Sequence, residues 1–140
     1  QAQGLAGFAN WMRVQYREEV SHALKFLDYL AERGGRGVVT EMSAPQKEWT
    51  SPLHAMEETL RHEQYVTSRI NNLVNLAMDE RDHASVQMLQ WYVAEQVEEE
   101  ASAQAIIDQL RLTEGRGNGL FMIDRELKQR VFVDATVQAG

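Results

Sequence analysis

Three long stretches of this chain carry apolar residues at alternating spacings of three and four, and each breaks once, near its middle, with metal-ligating or polar groups. A stripe at that spacing marks a helix with one buried face, and three such helices satisfy their apolar faces by packing against other helices. From Leu5 to Arg33 the stripe reads Phe8, Met12, Gln15, Glu19, His22, Phe26, Tyr29. A second line through Leu5, Tyr16, Ala23, Leu27 and Leu30 is expected to widen the buried face, and Gly34-Gly35 closes the helix. The second helix opens with Ser51 as N-cap and Pro52 in the first turn. Its stripe is Leu53, Met56, Leu60, Glu63, Thr67, Ile70, Val74, Ala77. The third runs from His83 to Leu112, through Leu89, Tyr92, Gln96, Glu99, Ala103, Ile106 and Leu110.

The connections differ in kind. Asp79-Glu80-Arg81-Asp82 makes a short turn between the second and third helices. The stretch from Gly34 to Thr50 is too long for a helical hairpin; extended, it crosses on the order of 55 Å, more than the length of a neighbouring helix. It suits one long crossover loop in a helical bundle. Val38-Val39-Thr40 is its one candidate for an extended edge. After Gly115-Arg116-Gly117 a short fourth helix is expected from Gly119 to about Gln129, at one end of the bundle or against other subunits, followed by a tail from Val131. The expected class is therefore all-α, in a single domain over 1–140. The chain opens on Gln1-Ala2-Gln3-Gly4, which reads as the end of one helix turning into the next, so a preceding segment is expected.

Composition narrows the function. No apolar run reaches membrane-spanning length and no secretory core opens the chain, so a cytoplasmic, membrane-free protein is expected. Cysteine is absent, which removes disulfides and thiolate metal sites. A net charge of −7 speaks against nucleic acid and fits either a solvated acidic surface or one that attracts cations.

The three mid-helix breaks carry the chemistry. Glu19 and His22 form Glu-x-x-His, which puts a carboxylate and an imidazole one turn apart on one face, close enough to share a metal. One buried Glu in isolation is as well explained by a structural ion pair. Three coincident breaks are not, because the stripes hold no Lys or Arg to neutralise Glu19, Glu63 and Glu99. Three carboxylates, one imidazole and no thiolate suit iron, manganese or another hard-to-borderline divalent ion better than structural zinc. His54, His62 and His83 lie off the stripes and read as surface groups; Trp11 and Trp49 read as packing or interface residues. Trp91 and Tyr92 adjoin the third break, where packing and electron transfer are both open roles.

Several runs of the sequence resemble bacterial non-haem ferritins. They are Gly4-Leu5-Ala6-Gly7-Phe8-Ala9-Asn10-Trp11-Met12, Arg17-Glu18-Glu19-Val20-Ser21-His22, the highly specific run from Leu89 to Glu100, and Gly119 to Leu127 as a short fifth helix. The resemblance covers nearly the whole chain. It implies a ferritin-like four-helix bundle of which three long helices and a short C-terminal helix are present and the first is missing, so that the domain is N-terminally incomplete. Ferritin-like di-iron bundles use one Glu from each of two helices and a Glu-x-x-His pair from each of the others. Here Gln96 and Glu99 stand in the second pair's place as Gln-x-x-Glu.

By matching motif, Glu19 would bridge two irons, His22 would bind the first, and Glu63 and Glu99 the second, with Gln96 beside it. Glu18, Glu95 and Glu98 resemble an inward-facing third iron site; a solvated acidic face explains them too. The family likeness further implies iron storage, ferroxidase activity with O2 or peroxide, Fe(III) mineral deposition, and a homo-oligomeric cage of 24 subunits. Asp79, Glu80 and Asp82 lie where such cages have pores. The missing His in Gln96-Val97-Glu98-Glu99 disfavours a bacterioferritin-like protein and with it haem, although Met12 could ligate one at a two-fold interface; the absence of cysteine disfavours a rubrerythrin-like one. A storage shell with an incomplete ferroxidase site, or a helical interaction module without metal, are the alternatives.

Overall fold

A computed structural model of the chain describes residues 4–137. The described residues form four helices and no strand: α1 (Ala6–Glu32), α2 (Pro52–Asp79), α3 (His83–Leu112) and α4 (Gly117–Leu127). Val38-Val39-Thr40 is therefore not an extended edge; 36–49 has no regular structure. The fourth helix begins two residues earlier than its sequence pattern suggested and ends two earlier.

Helix ends follow local chemistry. Ser51 accepts the His54 amide at 3.0 Å with Pro52 in the first turn, so one orphan donor is satisfied and a missing donor falls where none is needed. Asp82 caps α3 by accepting from Ser85 N at 3.2 Å and Ser85 Oγ at 2.7 Å. The acidic run 79–82 thus works as a helix stop followed by a helix start. Gly34, at φ +72°, and Gly115, at φ +58°, take the left-handed conformation that ends α1 and α3 without a Cβ penalty.

The structure divides into two compact units. The first comprises α1 with the residues from Phe121 onward; the second comprises residues 48–120. In the second, α2 and α3 pack along their stripes. Met56, Glu63, Ile70 and Ala77 of α2 are buried, as is every residue of the α3 stripe from Leu89 to Leu110.

In the first unit the buried face of α1 widens in the direction opposite to the one its second apolar line suggested. Tyr16 is 68% exposed, and Leu24, Leu27 and Leu30 are exposed with it, whereas Trp11, Val14, Glu18 and Ser21 are buried. The reason is the C-terminal segment. Leu5, at the N-cap of α1, has no capping side chain, and Asp124 of α4 supplies one from far along the sequence. Its Oδ1 accepts from Gly7 N at 2.7 Å and Phe8 N at 3.1 Å, placing a carboxylate at the positive end of the helix. Gly7 is required there, because a Cβ would lie 1.6 Å from the Asp124 carbonyl oxygen. Asn10 Nδ2 then donates to the carbonyls of Leu127, Lys128 and Arg130 at 3.0–3.3 Å. The expected tail from Val131 is, over 131–137, a segment laid along α1, and its last residues, 138–140, lie outside the described residues.

Candidate metal centre

In the first unit, Glu-x-x-His has the one-face geometry its spacing implies. His22 is buried, Glu19 half-buried, and His22 Nδ1 lies 3.8 Å from Glu19 Oε2. Burial holds the His22 pKa below the usual imidazole value; the Glu18 carboxylate opposes that shift and the Lys25 ammonium adds to it. A neutral imidazole keeps a lone pair for a metal near neutral pH. Gln15, one turn before Glu19, donates its Nε2 to Glu19 Oε1 at 3.2 Å, which orients the carboxylate.

Glu18 is neither exposed nor solvated. It is 8% exposed, its Oε2 accepts from Arg130 Nη2, and its Oε1 accepts the Val133 amide at 3.3 Å. Arg130 also lies over the Trp11 ring, 4.5 Å from the centroid, and Arg17 lies over Phe132 at 4.2 Å. Ser21 Oγ accepts the Ala135 amide at 3.3 Å and Lys25 donates to the Ala135 carbonyl at 3.4 Å. A buried carboxylate needs a partner of opposite charge, and this segment supplies it.

In the second unit Glu63 and Glu99 are 3% and 5% exposed, and Gln96 is buried one turn before Glu99 on the same face of α3. Gln96 Nε2 donates to the Glu63 carbonyl at 3.1 Å, to Thr67 Oγ1 at 3.3 Å and, more weakly, to Glu63 Oε2 at 3.4 Å. Thr67 in turn donates to Glu100 Oε1 at 2.5 Å. Glu95 is half-buried and Glu98 exposed, on the outer side of the α3 stripe. Tyr92 packs edge-on to Trp91 with centroids 4.8 Å apart, and burial pushes its phenol pKa above the ordinary value, so it stays a neutral hydroxyl. His62 and His83 are exposed, and His54 is bound to Thr50 beside the α2 cap.

Sequence reasoning passed over Gln15, Asp124, Arg130 and the Thr67–Glu100 pair as functional contributors. Gln15 and Thr67 stand four residues from Glu19 and Glu63 respectively, a visible signal. Asp124 and Arg130 act over more than a hundred residues of sequence and gave none.

Carboxylates, an imidazole and an amide taken out of water at mid-helix, on four-helix all-α architecture, define the ferritin-like class. Comparison with known proteins places the chain in a family: the ferritin-like domain matches residues 1–113, and the chain belongs to the ferritins. It is 39% identical over 128 residues to a bacterial non-heme ferritin of Bacteroides fragilis, covering 91% of this chain and 79% of that protein. It is 40% identical over 125 residues to a probable bacterial non-heme ferritin-like protein of Haemophilus influenzae, covering 89% and 76%. Among solved structures it is similar to an open pore ferritin from the hyperthermophilic archaeon Archaeoglobus fulgidus, at a TM-score of 0.91 and 51% identity over 93% of this chain and 80% of that one.

Proposed function

We propose that this ferritin stores iron and oxidises Fe(II) at a di-iron site built from Glu19 and His22 of α1, Glu63 of α2, and Gln96 and Glu99 of α3. One observation carries the reading: each long helix sets a polar break at mid-length, with His22, Glu63, Gln96 and Glu99 buried and Glu19 half-buried, and no stripe contains Lys or Arg. The donor set fits iron, since hard carboxylate oxygens and one neutral imidazole bind Fe(II) and favour the higher charge of Fe(III). Iron is the substrate here. Two Fe(II) each give up one electron; O2 takes both and, with two protons from water, leaves as hydrogen peroxide. Fe(III) then hydrolyses and joins a mineral.

Within this reading Glu19 bridges the two irons, His22 holds the first, and Glu63 and Glu99 hold the second. Gln96 in place of a charged or imidazole ligand leaves the second position less tightly bound, so its iron is released. Glu18, Glu95 and Glu98 are each assigned to iron in transit, and iron at Glu18 has to displace Arg130. In this reading the chain is a single ferritin-like domain. No helix among the described residues is long and apolar enough to cross a membrane, and the protein is proposed to work in the cytoplasm without haem. The exposed line Tyr16, Val20, Leu24, Leu27 on α1 supports assembly into a homo-oligomeric cage through apolar helix faces.

Initial rates of Fe(II) oxidation test the proposal. Glu19→Ala and Glu63→Ala should each abolish the fast, saturable phase. A linear rate unaffected by either change would point instead to a shell in which iron oxidises on acidic surface.

A further inference from the structure

The chain of hydrogen bonds in the second unit has a direction, and that direction bears on which atom Gln96 presents to a cation. A carboxylate is an acceptor only, and a threonine hydroxyl has one proton to give. Glu100 Oε1 takes that proton at 2.5 Å. Thr67 Oγ1 is left with lone pairs alone toward Gln96, whose Nε2 lies 3.3 Å away. The Glu63 carbonyl, 3.1 Å from the same nitrogen, is also an acceptor only. Every group of α2 that Gln96 meets therefore demands its NH2 end. Turning the amide over would set Oε1 against oxygen lone pairs. Of the two ends of an amide, only the carbonyl oxygen binds a hard cation.

We propose that Thr67 and Glu100 are positioning residues which fix the Gln96 amide so that its carbonyl oxygen, not its nitrogen, is offered to iron. This rests on the reading of Gln96 as part of the metal centre. Glu100 sets the polarity of the chain. If it could donate, Thr67 would be free to turn its proton toward Gln96, and the Glu63 acceptors alone would be left to hold the sense of the amide. Neither residue touches the metal in this scheme, and Glu100 lies outside the α3 stripe, half-buried beside α2.

Three substitutions separate the parts. Thr67→Val keeps the shape and removes the hydroxyl. Thr67→Ser restores it. Glu100→Gln keeps the shape and replaces an acceptor with a group able to donate. In metal-free protein, the side-chain NH2 resonances of Gln96, assigned by their loss in Gln96→Ala, should shift in Thr67→Val and Glu100→Gln and return in Thr67→Ser. In anaerobic Co(II) titrations followed by visible absorbance, Thr67→Val and Glu100→Gln should weaken the second equivalent about fivefold, one hydrogen bond's worth. Thr67→Ser should bind as the unaltered protein does. In a Gln96→Ala background Thr67→Val should change nothing further. Resonances unmoved by either substitution, or an equal loss of Co(II) with and without Gln96, would overturn the proposal. Absence of Co(II) binding by the unaltered protein, with the resonance shifts intact, would overturn the metal reading and with it the proposed role toward iron.

Discussion

Arg130 and Glu18 form a hydrogen-bonded ion pair that joins the segment after α4 to the middle of α1, next to Glu19. The Val133 amide completes the coordination of the same carboxylate at 3.3 Å. A tethered guanidinium and an iron ion cannot both hold these oxygens, so under the proposed function the pair would set C-terminal docking against iron binding at Glu18. Arg130→Gln should lower stability by about 1.5–3 kcal/mol, the range for a hydrogen bond to a charged group. It should also raise the amount of Tb(III), a luminescent stand-in for iron, bound outside the proposed di-iron centre. Unchanged Tb(III) capacity in a folded variant would show that Glu18 does not take metal even when released.

The contact of α1 with Asp124 is equally open to test. Gly7→Ala forces a Cβ into the Asp124 backbone, and overpacking of this kind costs about 1–3 kcal/mol or more. Asp124→Ala removes an N-terminal cap, worth about 0.5–2 kcal/mol. The two effects should be less than additive, because either change undoes the same contact. Thermal melts of the single and double variants measure this.

His22 gives the metal-free protein a pH dependence of known sign. Its folded pKa is depressed by burial from 6.5. As pH falls below about 6.5 the unfolded chain takes up a proton and the folded protein does not, so stability declines until the folded pKa is passed. Above that window His22 contributes no slope. The urea midpoint should therefore fall between pH 7 and 5 more steeply in the unaltered protein than in His22→Gln. Parallel curves would contradict the depressed pKa.

Gln96→His would convert Gln-x-x-Glu to a set with a second imidazole beside Glu99. Iron should then leave the second position more slowly, seen as slower transfer of oxidised iron to the mineral after a first addition of Fe(II). Equal release in both proteins would remove Gln96 from the explanation of iron mobility.

Much of this was legible in the sequence. The α2 and α3 stripes and the Glu19–His22 spacing depend on contacts three and four residues apart, which a sequence displays directly. Ser51-Pro52 announced the start of α2 for the same reason. The α1 line through Tyr16, Leu27 and Leu30 misled because hydrophobicity says that a residue favours burial, not which face finds a partner. What chose the other face was the segment 121–137, through Asp124, Asn10 and Arg130. Glu18 stood open between a third iron position and a solvated acid, and its ion pair was invisible because the cation lies 112 residues away. The Gln96 network was hidden for a related reason: Thr67 and Glu100 sit on different helices, and nothing in either stripe pairs them.

The most direct measurement is diffraction from crystals soaked anaerobically in Fe(II), with anomalous scattering collected at the iron edge. Two peaks bounded by Glu19, His22, Glu63 and Glu99, one of them facing the Gln96 carbonyl oxygen, are expected. Iron found only on exposed carboxylates, with no peak among these residues, would contradict a di-iron centre in this chain.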